Sequence, residues 1–231
     1  MGNPNRLPIA ILVAAIILAG AVLLKGYSPA VSDRFAAYVP TSVIMMDGGH
    51  LLPMKMENMM IGELVKTGVI DPARLPQATE LDILWAFGLA NKNPVLSEGP
   101  MMDPSYGGVQ NFASTGGWMA AKGSAMDHYG MHAFMSLTPE QQALVEKVAK
   151  NTFRPCCKNS AYFPDCNHGM AMLGLLEILA SQGLDESGLK IAANRADSIW
   201  FPGQRQAGYG IDPVQPETIV QPQRLQISCG L

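Results

Sequence analysis

Charge is scarce in this sequence. Charged residues occupy 15% of the 231 positions, against roughly 25% in an average soluble protein. The formal net charge is −3 and the basic residues are scattered. Without a basic run to track a phosphate backbone, nucleic acid is not an expected partner. Alternating strand patterns and internal repeats are also missing, which points to a mostly α class. Nor is there a G-x-S-x-G elbow, a phosphate-binding glycine loop or an H-E-x-x-H helix, so the common hydrolase, nucleotide and zinc-protease signatures are excluded. An accessory rather than an enzymatic role is expected.

What the chain has instead is apolar length near its start. Leu7–Leu24 is 18 residues without a charge, flanked by Arg6 and Lys25. As a helix it would span about 27 Å, close to a bilayer's hydrocarbon core. Residues 1–25 are therefore expected to be a membrane anchor. The alternative is a signal peptide cleaved after Ala30, where Ser28-Pro29-Ala30 supplies small residues. In either case the main domain is expected outside the cytoplasm. Residues 26–40 read as a linker, 41–201 as a small all-helical domain with long loops, and 202–231 as an extended tail rich in Pro and Gln.

Within the domain several helices announce their ends. Glu57–Lys66 should stop at Gly68. Thr79–Ala90 has Thr79 as cap and Asp82 three residues on, with Leu81, Leu84, Trp85 and Leu89 on one face. Residues 93–124 read as loop with a helical piece near Trp118–Lys122, and Ala125–Met135 as helical despite Gly130. Thr138, Pro139 and Gln141 form a capping box for a helix to about Phe153, ended by Pro155. A helix over His168–Gln182, started by Asp165 or Asn167, should stop at Gly183. A third, Asp185–Trp200, ends before Pro202. The hairpin over 138–183 is built around the loop between its helices.

That loop, RPCCKNSAYFPDCNHGM at 154–170, holds three of the four cysteines and one of the four histidines. Cys166 and His168 fall at the start of a helix, where the dipole favours thiolate, the form that binds metals and attacks disulfides. Cys156, Cys157, Cys166 and His168 form a three-sulfur, one-nitrogen set of the kind zinc accepts, and equally a soft site for copper(I). Met170 or Met172 could add a thioether. Asp165 could be a ligand, or an acceptor for the His168 N–H. Adjacent cysteines tend to point apart, so a single ion is expected to use only one of Cys156 and Cys157.

Two rival expectations stay open. An even cysteine count in an exported chain suggests disulfides, one of them tying Cys229 in the tail to the loop. The protein would then be a stapled structural subunit docking on partners in a membrane or envelope complex. Alternatively the loop is a thiol–disulfide oxidoreductase site with Cys166 as thiolate. A second metal candidate is His128 with His132, four apart on the expected helix and flanked by Met126, Met131 and Met135. His50 has a similar methionine-rich setting in Met45, Met46, Met54 and Met56.

Overall fold

The computed structural model describes residues 50–116 and 120–202. The described region is mostly helical. The expected anchor, the linker, Met45, Met46 and the tail with Cys229 lie outside the described residues. Among the described residues no helix is long and apolar enough to cross a membrane.

The centre of the fold is a pair of helices, α2 (Glu80–Ala90) and α6 (Asn167–Ser181). Both are buried on nearly every side, α2 from Ile83 to Ala90 and α6 from Gly169 to Ala180. Helices apolar all round belong in a core. Glycines let their backbones meet. A Cβ on Gly88 would overlap the Met170 carbonyl oxygen, and one on Gly174 would lie 2.6 Å from the Leu84 carbonyl oxygen and 2.9 Å from Gly88 N. Around this crossing pack α1 (Met54–Lys66) on α2, and α5 (Pro139–Lys150) and α7 (Glu186–Trp200) on α6.

Local signals set the helix starts. In α2 the backbone N–H of Thr79 donates to Asp82 at 2.8 Å, and Asp82 N donates back to the Thr79 hydroxyl at 3.3 Å. Thr138 and Gln141 repeat the exchange at α5, with Pro139 first in the helix. Asp185 caps α7, accepting from Gly188 N at 2.8 Å. Gly68 and Gly183 follow α1 and α6 with φ of 80° and 84°, the left-handed geometry that glycine adopts at least cost.

Four expectations need correction. The α5 helix ends at Lys150 rather than Phe153. The Asn151 side chain caps Lys147 O at 2.8 Å, and Phe153–Arg154 (β1) pairs antiparallel with Asn159–Ser160 (β2). Residues 125–135 are not a helix. Only a 3₁₀ turn forms at Ala125–Asp127, Gly130 takes φ 60°, and His132 bridges to Asn91. Of the segment expected to be helical at 118–122, residues 120–122 are bends and the rest lies outside the described residues. The 93–116 stretch is less loop-like than expected, carrying short helices α3 (Pro94–Ser97) and α4 (Ala113–Gly116) between 3₁₀ turns.

Candidate metal centre

The short ribbon β1–β2 carries the cysteines. Residues 155–158 form its turn, closed by Lys158 N donating to Arg154 O at 2.9 Å, with Lys158 at φ 55°. Cys156 and Cys157 sit at the tip. The chain then returns through Phe163 to the start of α6, where Cys166 is the N-cap residue with φ −128°. The long 93–116 segment braces this return. Ser114 N donates to Asp165 O at 3.0 Å, and Tyr106, Phe112 and Phe163 meet edge to face at centroid distances of 5.3–5.6 Å.

Beneath the loop lies Arg154, fully buried. Its Nη1 donates to Cys166 Sγ at 2.7 Å, and its Nη2 to Asp165 Oδ1 at 2.7 Å, to Phe163 O at 2.5 Å and to Asn159 Oδ1. Gly169 makes the space, since a Cβ there would overlap the guanidinium. Burial works against the guanidinium charge, but Cys166, Asp165 and Cys157 outweigh it and raise the Arg154 pKa. Burial also raises the Asp165 pKa, against the pull of Arg154. A fixed cation and a helix N-terminus both act on Cys166, and both favour the thiolate.

The sulfurs converge. Cys156 Sγ lies 3.4 Å from Cys157 Sγ and 3.8 Å from Cys166 Sγ. The ligand atoms of Cys156, Cys166 and His168 all fall within 4.8 Å of one another, as do those of Cys157, Asp165 and Cys166. Zinc–sulfur bonds of about 2.3 Å in a tetrahedron put sulfurs about 3.8 Å apart, the spacing of Cys156 and Cys166. The adjacent cysteines therefore do not diverge, but they join different groups that share Cys166. Arg154 bonds the shared Cys166 and, in the second group, Asp165 as well, so that only the first group has two ligand residues, Cys156 and His168, that the guanidinium is not shown to hold.

The C-terminal end of α7 forms the wall on the His168 side. The rings of Phe201 and Trp200 lie 4.6 and 5.8 Å from the His168 ring. Asp197, one turn before Trp200, has its carboxyl pKa pushed up to about 7 by burial, with Arg154 and His168 pulling the other way.

Of the four candidates, Cys156, Cys166 and His168 come together in one group, while Cys157 groups with Cys166 and Asp165 instead. Asp165 does not cap α6 and instead faces Arg154 and Asn159. Met170 and Met172 are fully buried in the apolar core. No disulfide joins Cys156, Cys157 and Cys166. His128 and His132 do meet, Nδ1 to Nε2 at 3.0 Å, but across a turn and not on a helix face. Their rings stack, and His132 stacks on Phe134. Burial, His128 and Lys92 lower the His132 pKa. Among the described residues no Cys, Asp, Glu or further His joins the pair. His50 groups with Glu57 and Glu80, and Glu80 accepts from Leu51 N and Leu52 N at 2.8 and 2.9 Å.

Sequence reasoning missed Arg154, Asn159, Gly169 and Asp197. The available signals were an arginine two residues before the cysteine pair and a glycine directly after His168. Compared with known protein families, curated proteins and solved structures, the chain matches none.

Proposed function

We propose that the cysteine loop is a metal centre for zinc or copper(I), with Cys156, Cys166 and His168 as ligands and Cys157 beside them. The observation that carries this is the convergence of two sulfurs and an imidazole nitrogen within 4.8 Å. Charge supports it as well. A soft cation bound by two thiolates and an imidazole sits next to one fixed guanidinium, which balances the thiolate charge in a buried setting. Cys166 is buried, whereas Cys156 and His168 are only partly so. An ion can therefore reach the site from the hairpin tip, which suits an accessory or carrier role. The apolar run Leu7–Leu24 supports the further proposal that an anchor holds this domain outside the cytoplasm, in contact with partners of a membrane complex.

The test is the metal content of the full chain purified without chelators, beside Cys166→Ser and His168→Ala. Both variants are expected to lose bound metal. Full retention by His168→Ala excludes this ligand set.

A second reading rests on the 3.8 Å separation of Cys156 and Cys166 beside Arg154. The same pair can act as a working dithiol. In the stapled-subunit alternative the expected bridge to Cys229 lies outside the described residues, and the described cysteines are not cross-linked to one another.

A further inference from the structure

Asp197 has no explained task in the fold. Its Oδ1 is buried and accepts no hydrogen bond among the described residues. A buried carboxyl oxygen without a donor is destabilising unless it serves something else. Asp197 comes from α7, about thirty residues beyond the loop. Helix geometry puts it on the face of Trp200, three residues on, and the Trp200 ring lies against His168. Its electrostatic coupling is to His168 and Arg154, the histidine and the cation of the candidate centre. Asp165, the acceptor suggested by sequence proximity, is already held by Arg154 and Asn159.

We propose that Asp197 is the positioning residue for His168: once an ion is bound, its unused Oδ1 would accept the ring N–H that faces away from the metal and so fix the imidazole's orientation and tautomer. Metal-bound imidazoles almost always donate their second N–H in this way, and loss of the acceptor weakens binding about 10–100-fold. This role rests on the metal centre proposed above. It makes α7 part of the site: Asp197 orients the ligand while Trp200 and Phe201 keep water from it.

The experiment is a zinc(II) titration of the full chain against a chromophoric chelator, for wild type, Asp197→Asn and Asp197→Ala. Melting curves of the metal-free proteins and a long-range ¹H–¹⁵N spectrum of the zinc-loaded proteins accompany it. Asp197→Ala is expected to bind zinc about 10–100-fold more weakly, and Asp197→Asn, which keeps an acceptor oxygen, to lose less. The metal-free variants should melt no lower than wild type. The His168 N–H signal should be slow to exchange in zinc-loaded wild type and lost in Asp197→Ala. Equal zinc affinity in wild type and Asp197→Ala overturns this role while leaving the metal centre intact. A lower melting temperature in the metal-free variants, with unchanged His168 signals, makes Asp197 structural and also overturns it. Absence of zinc binding by wild type removes the zinc centre and this role together.

Discussion

Arg154 Nη1 lies 2.7 Å from Cys166 Sγ, twelve residues away in sequence and across the base of the cysteine loop. The same guanidinium bonds Asp165, so one buried cation joins the β-ribbon to the start of α6. Removing it leaves Asp165 and Cys166 without the buried cation they face. Arg154→Met is expected to destabilise the protein by about 3–5 kcal/mol, the usual result of breaking a buried pair from one side. Arg154→Lys should recover only part of this, because an ammonium cannot span Cys166, Asp165 and Phe163 O as the planar fork does. Urea unfolding of the metal-free protein measures both. A loss below about 1 kcal/mol for Arg154→Met contradicts the role given to this cation.

The helix crossing makes a prediction with a sign change. Alanine normally favours a helix over glycine by about 1 kcal/mol. Gly62, in α1, is exposed with nothing within 4 Å of a Cβ, so Gly62→Ala should stabilise by about 0.5–1 kcal/mol. Gly174→Ala meets backbone atoms of α2 that cannot move aside, and should destabilise by about 1–3 kcal/mol despite the better propensity. Thermal melts of the two variants check the contrast.

These elements also separate what the sequence displays from what it hides. The capping boxes at Thr79 and Thr138 and the glycine stops at 68 and 183 are legible because each is a contact between residues a few positions apart. The Cys/His loop is legible for the same reason, as a cluster. The ribbon is not, since two-residue strands have no period to detect. The segment 125–135 misleads because its composition suits a helix, while Lys92 N bonding His132 O and His132 N bonding Ala90 O draw it to the end of α2 instead. Asp197 carries no local mark, and Arg154 only its place two residues before Cys156. Arg154 depends on the room left by Gly169 and Asp197 on the docking of α7.

Glu177 supplies a pH dependence. It is fully buried in α6, accepting from Asn91 Nδ2 at 2.5 Å. Burial raises its pKa well above the ordinary value of 4.5, while hydrogen bonds from Asn91 and Asn93 pull it down. The native state thus holds a proton that the unfolded chain releases above about pH 4.5. Stability from this group is present below that pH and falls as pH rises toward the folded pKa. Glu177→Gln, neutral throughout, should melt above wild type at pH 8, with the gap closing toward pH 5. Parallel stability curves across that range contradict a protonated Glu177.

Thiol accessibility separates the three cysteines. In the reduced, metal-free protein, Cys156 and Cys157 at the hairpin tip should alkylate within minutes. Cys166, 3% exposed, should react far more slowly. Zinc at saturating concentration should protect Cys156 and Cys166. Peptide mass spectrometry after timed quenching reads each site. Rapid native alkylation of Cys166 would instead favour the dithiol reading.

The central claim is that two loop sulfurs and His168 hold one metal ion. X-ray absorption at the metal edge of the full chain, loaded with zinc and freed of excess, addresses it most directly. The account predicts two sulfurs at about 2.3 Å and an imidazole nitrogen at about 2.0–2.1 Å, with the imidazole scattering lost in His168→Ala. A shell of oxygen and nitrogen without sulfur, or a protein that retains no zinc, would contradict it.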